Sequence, residues 1–283
     1  MSVTAFTSVY CIDGSGAKSS RAERKRPIYR LVPETGAIAR CQLQTTPSVF
    51  FANVLNEATP NERSLIAVDV PLGLPADFPE AYGDKGFVEW LLDLPGDDWR
   101  GLVVEGVADQ APGRPFVEKP RAGDKRMGRF PLRRCDRLTH AESVYWCMGP
   151  RQVGKAALQF WFEVLRPLVR QGGVAVWPFQ AIDDARVVVA ECYPGYLLDR
   201  VWGRSVVKTN GPDVVRALAE TGEARRGTDE RTRLHAASSE DEFDMLTVAL
   251  ALRAALEAEA DVLSAPAHAR PIEGWILLLE DRA

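Results

Sequence analysis

The chain reads as an α/β protein built on a sheet with parallel strands, and three observations carry that reading. The first is the stretch Leu65-Ile66-Ala67-Val68-Asp69-Val70-Pro71-Leu72-Gly73-Leu74-Pro75, in which an apolar run meets a carboxylate and then a Pro/Gly-rich turn. A short apolar run bounded by turn residues predicts a strand buried on both faces. The second is its recurrence: Val9-Tyr10-Cys11-Ile12 ends in Asp13, and Val187-Val188-Val189-Ala190 ends in Glu191. The third is the order along the chain, with a hairpin and helices set between these strand–acid units. In open α/β sheets ligands bind outside the carboxyl ends of the strands. A charge placed there costs desolvation unless a metal or hydrogen bonds compensate it.

Each element has a local reason. Residues 7–12 form the first strand, and Asp13-Gly14-Ser15-Gly16-Ala17-Lys18-Ser19-Ser20 is a small-residue loop. It looks like a P-loop but lacks the GKS tripeptide, because Ala17 separates Gly16 from Lys18. Strands at 27–32 and 37–44 flank the turn Pro33-Glu34-Thr35-Gly36. Thr46 caps a helix that starts at Pro47 and runs to about residue 58. After the Asp69 strand come a short helix near 87–92, a strand at Gly101–Val104, and a helix beginning at Arg133 and reaching about Tyr145. Residues 83–130 form a loop-rich insertion, a length that in compact domains tends to carry function. Ala157, Leu158, Phe160, Trp161, Val164, Leu165 and Leu168 give the 153–170 helix a broad apolar face, stopped by Gly172-Gly173. Then follow a short strand at 174–177, the Glu191 strand, helices at 196–202 and from Asn210 to Gly222, and a polar, basic connection over 223–237. The last long helix opens with a Ser239–Glu242 capping box, and Gly274–Leu278 closes the chain as a strand or an extended tail. No linker divides residues 1–283, which read as one domain.

Composition narrows the class. Apolar content of 46% and charged content of 26% are those of an ordinary globular protein, and no apolar run approaches the ~18 residues of a membrane span. Met1-Ser2-Val3-Thr4 lacks the basic and apolar blocks of a secretory signal. The five cysteines, an odd number, form no CxxC pair, so the expectation is a reducing cytoplasm. A net charge of −4 supplies no global field for nucleic acid, but basic residues cluster at 18–30, 114–137 and 225–233. Such local patches bind phosphates or are solvated loops.

The acids carry the chemistry. Asp241 and Asp244 lie three apart at the start of the last helix and share a face. Acids in a first turn also suit the helix dipole, which suffices for Glu240, Asp241 and Glu242. It accounts less well for Asp244, set between Phe243 and Met245-Leu246. If this end meets the sheet, Asp13, Asp69, Glu191, Asp241 and Asp244 converge, and so many carboxylates cannot all stay ionised without cations. Oxygen ligands with no histidine pair suit Mg²⁺ or Mn²⁺ rather than zinc. Two such ions would activate a water and stabilise the leaving oxygen of a phosphodiester. A lone acid at a strand end is more commonly a cap or an ion-pair partner; three, with a helical pair downstream, suit metal equally.

These segments, with Arg134-Cys135-Asp136, Glu191-Cys192-Tyr193-Pro194 and Asp241-Glu242-Phe243-Asp244-Met245-Leu246, resemble domain-of-unknown-function family 429, a predicted nuclease family of ribonuclease H-like fold. The last segment also resembles the closing helix of RuvC-type Holliday-junction resolvases. The resemblance spans about residues 7–275. It implies a five-stranded mixed sheet flanked by helices, an antiparallel meander first and the Asp69 and Glu191 strands parallel to the first strand. It implies Asp13, Asp69, Glu191 and Asp244 as the catalytic, metal-binding acids, with Asp241 auxiliary. The resulting expectation is a Mg²⁺- or Mn²⁺-dependent nuclease. Ser15, Lys18, Arg133, Arg134 and the 114–129 cluster are its candidate substrate contacts. Two alternatives stand beside it: a ribonuclease H-like phosphotransferase or ATPase using the Asp13-Gly14-Ser15-Gly16 loop, and a non-catalytic binding module.

Overall fold

The computed structural model describes residues 6–14, 26–41, 46–57, 62–76, 83–111, 113–118, 130–147, 152–267, 269 and 271–281. Three apolar runs make the centre of a mixed sheet: β1 (Ser8–Asp13), β4 (Ser64–Asp69) and β8 (Val187–Glu191). β2 (Ile28–Val32) and β3 (Ala37–Cys41) complete an antiparallel meander with β1. They are joined by a turn in which Thr35 and Gly36 donate to the Val32 carbonyl. β4 is parallel to β1 and to β8. The sheet has six strands, not five, in the order β3-β2-β1-β4-β8-β7. The sixth is β7 (Val174–Val176), which pairs parallel with β8 through Val174–Val187, Ala175–Val188 and Val176–Val189. The 174–177 strand expected from sequence thus belongs to the main sheet as its edge.

Successive side chains of a strand point to opposite faces, and here both faces are covered. Ile12, Ile66, Val68, Val187 and Val189 enter one core with α1 (Pro47–Glu57), α2 (Phe87–Asp93) and a long helical segment at 153–171. Val9, Cys11, Leu65, Ala67, Val188 and Ala190 enter the other. There they meet α6 (Pro194–Trp202) and α10 (Glu240–Glu257). Double burial explains why these strands read as continuous apolar runs rather than alternating ones.

The long segment is α4 (Val153–Phe160), a π-helical stretch Trp161–Leu165, and α5 (Arg166–Gln171). Trp161 is fully buried, its ring edge-on to Phe87, Trp90 and Phe116. Phe116 belongs to β6 (Phe116–Val117), which pairs parallel with β5 (Val103–Val104). The described part of the 83–130 insertion is therefore built into the core, and the expected Gly101–Val104 strand is only its last two residues.

Three further expectations are corrected. The helix expected over 133–145 is α3 (Arg134–Thr139), stopped where His140 takes a left-handed conformation at φ 56°. After α7 (Gly211–Glu220), the 223–237 connection holds two short helices, α8 (Gly222–Gly227) and α9 (Glu230–Ala236). The Asp229 carboxylate caps α9 at the Thr232 N–H, 2.7 Å away. The 274–278 stretch is a tail touching the end of β8 by a single bridge, Glu191 to Ile276. Half of the expected capping box on α10 forms: Ser239 Oγ accepts from the Glu242 N–H at 3.2 Å, while the Glu242 carboxylate turns to Arg40. Among the described residues, no helix is long and apolar enough to cross a membrane.

Candidate functional site

The carboxyl ends of β1 and β4 open into a cleft of about 700 Å³, lined by Asp13, Asp69, Arg133, Glu191, Lys208, Asp241 and Asp244 among others. A hollow of about 770 Å³ between α6, α10 and the 278–281 segment carries none of the strand-end acids.

Strand register decides which acids face one another. Asp13 and Asp69 are direct partners on adjacent parallel strands. Two residues back on each strand, Cys11 and Ala67 point into the α10 core, so both aspartates stand on the α10 side, where the first turn of that helix brings Asp241 and Asp244. Glu191 pairs instead with Val68, one residue short of Asp69, and so leaves the sheet on the other face. The place beside Asp69 in its own row goes to Cys192, whose N–H donates to the Val68 carbonyl at 2.9 Å. Burial foremost, with the neighbouring charge of Asp69 next, holds that thiol well above its usual range. The expectation that all three strand-end acids share one site is corrected by this one-residue offset.

Glu191 has its own partner. Arg133 is 1% exposed, and its guanidinium reaches Glu191 Oε2 at 2.6 Å and Oε1 at 2.7 Å. The same fork reaches Asp136 Oδ1 at 2.6 Å, and Glu191 Oε2 also accepts from the Leu72 N–H at 2.7 Å. That oxygen is filled, leaving Glu191 one lone pair on Oε1. Burial still pushes the Glu191 carboxyl up, against the pull of Arg133. Arg133 is thus a buried clamp between two carboxylates rather than a phosphate contact. Arg134 does not line the cleft either, because it pairs with Asp281 at 2.9 Å. Ser15, Lys18 and residues 119–129 of the basic cluster lie outside the described residues.

The turn after Asp69 is pinned from three sides. Trp161 Nε1 donates to the Pro71 carbonyl at 2.8 Å. Arg133 donates to the Leu72 carbonyl at 3.1 Å, and Leu74 N–H to the Ile272 carbonyl at 2.7 Å. Gly73 has φ +129°, and a Cβ there would lie 2.2 Å from the Glu273 carbonyl oxygen. Only glycine tolerates that conformation and that approach.

On the α10 side the acids repel one another. Burial first, then the charges of Asp13, Asp244 and Glu191, hold the Asp69 carboxyl well above the usual range. Asp241 stands at the exposed lip; lost hydration on its inner side, then Asp13, Asp244 and Glu240, push it up to about 6. Burial also raises Asp244, against Lys208, whose Nζ lies 2.5 Å from Asp244 Oδ2. The other oxygen, Oδ1, is buried with no hydrogen-bond partner among the described residues. There too, no three Asp, Glu, His or Cys side chains are drawn close enough to hold an ion as they stand. The donor set nevertheless fits a hard divalent cation: carboxylate oxygens, mutually repelling, one of them buried and unpaired.

Lys208 gave no signal in the sequence, being a single lysine in a polar loop. His140, Lys155 and Tyr193 line the cleft as well and were equally unmarked. Asp136 could have been found: it sits three residues after Arg133 at the start of α3, a spacing that pairs side chains. No family model matches the chain, and neither does any curated protein or solved structure.

Proposed function

We propose that the protein is a metal-dependent nuclease of the ribonuclease H-like kind, hydrolysing phosphodiester bonds of nucleic acid with Mg²⁺ or Mn²⁺. The observation that carries this reading is the pairing of Asp13 with Asp69 across adjacent parallel strands, facing the Asp241 and Asp244 turn of α10. The antiparallel meander followed by parallel strands supports the same fold reading.

Asp13, Asp69 and Asp244 would hold the cation, with Asp241 at the lip. A bound divalent ion supplies charge for the attacking and leaving oxygens of a phosphodiester. The chain's own contribution is placement. Arg133 fixes Glu191, Glu191 fixes the Leu72 N–H, and the pinned turn keeps the backbone away from the Asp69 carboxylate. Lys155 and His140 line the cleft with the acids and would meet substrate phosphates there.

The test is a cleavage screen with Mn²⁺ over single-stranded, duplex, hybrid and branched DNA and RNA. We expect cleavage of at least one class, reduced to background by Asp69→Asn with the circular dichroism spectrum unchanged. Full activity in that variant overturns the reading.

A further inference from the structure

The cleft already holds a positive charge of its own. Lys208 sits in the 203–210 connection between α6 and α7, and that connection is anchored. The Asp213 carboxylate accepts from the Val207 N–H at 2.8 Å and from Arg204 at 2.8 Å. Asn210 N–H closes the turn onto the Val207 carbonyl at 2.9 Å. The lysine is therefore delivered by an ordered loop, and its side chain is 26% exposed. It faces Asp244 directly, and its charge acts on Asp69 and Asp241 as well. Glu191, by contrast, is answered by Arg133 on the other face.

Four carboxylates are left to balance: Asp13, Asp69, Asp241 and Asp244. One divalent ion and one ammonium bring three positive charges against four negative ones. Two divalent ions beside the ammonium would bring five, before any substrate arrives. Asp244 shows the same division in its two oxygens, with Oδ2 taken by Lys208 and Oδ1 buried and unpaired.

We propose that Lys208 is a built-in cation of the cleft, its ammonium standing where a second metal ion would otherwise bind, so that the acids take up a single divalent ion. This rests on the metal-dependent reading above. Lys208 is a positioning residue in this scheme, acting through Asp244. A lysine is suited to the task because its charge is compact and rides on a flexible stem.

The experiment is a Mn²⁺ titration of the full chain, followed by the electron paramagnetic resonance signal of free Mn²⁺, for the wild type, Lys208→Met and Lys208→Arg. We expect one ion on the wild type and on Lys208→Arg. On Lys208→Met we expect two ions, or one bound at least about tenfold tighter, since removing a nearby like charge is worth that much. Two ions on the wild type overturn the proposal and leave the nuclease reading intact, and that measurement needs no variant to fold. Equal stoichiometry and affinity for the wild type and a folded Lys208→Met also overturn it. Mn²⁺ uptake by none of the three overturns the metal-dependent reading itself, and this proposal with it.

Discussion

Asp69 and Glu191 end neighbouring strands with the same motif, and the fold treats them in opposite ways. Glu191 is 3% exposed, gripped by Arg133 and the Leu72 N–H, and Arg133 is shared with a second buried acid, Asp136. That side is closed, its charges paired within the protein. Asp69 faces Asp13, Asp241 and Asp244, with Lys208 the cation that acts on them. That side is open and carries surplus negative charge. A buried acid with a fitted arginine is a structural device; a set of acids without enough partners has a use for a cation from outside. One residue of strand register separates the two outcomes.

The largest test of this contrast is on stability. Arg133→Met leaves two buried carboxylates unpaired and is expected to cost about 3–5 kcal/mol in urea unfolding. Asp69→Asn removes one of several repelling charges and is expected to raise the urea midpoint of the metal-free protein. A loss of stability in both variants would show that the two sides do not differ. A smaller effect is expected from pH. The folded protein holds the Asp241 proton up to about 6, against an ordinary value of 3.8, and it also binds the Asp69 and Asp244 protons more tightly than the unfolded chain does. An acid raised in the folded state contributes stability at low pH and loses it as pH climbs through the folded value. In EDTA, the urea midpoint should therefore fall between about pH 4 and pH 6, less steeply in Asp241→Asn. Added Mn²⁺ should flatten the fall, and an unchanged slope with Mn²⁺ counts against a cation among these acids. The smallest effect is at the turn joining the two sides. Trp161→Phe keeps a ring but loses the hydrogen bond to Pro71, a change of about 1 kcal/mol, measurable by thermal melting; no change would remove the indole from the set of pins on that turn.

What could be read in the sequence was local. Apolar runs ending in acids located β1, β4 and β8, and Ser239 located the start of α10, because burial and capping leave their mark within a few residues. The face each acid takes was not legible, since it depends on how β8 pairs with β4, more than a hundred residues away. The partner of Arg133 was hidden for the same reason: Arg133 and Glu191 are 58 positions apart. The basic cluster at 114–137 looked like a substrate surface, yet Arg114 reaches the Val103 carbonyl and Arg137 the Leu132 carbonyl, so composition did not separate binding from packing. The two short helices of 222–236 escaped notice because runs this short bury too few side chains to show periodicity.

The interlock of Gly73 against Glu273 bears on the order in which the molecule comes together. Asp69 and its turn leave the ribosome long before α10 and the 272–274 segment, so the nascent sheet end has neither its final shape nor its opposing charges. Contacts this distant in sequence form late. The electrostatic cost of gathering the acids therefore falls on the docking of α10, and protonation or a counter-ion acts on the speed of that final step as well as on the stability of the finished fold.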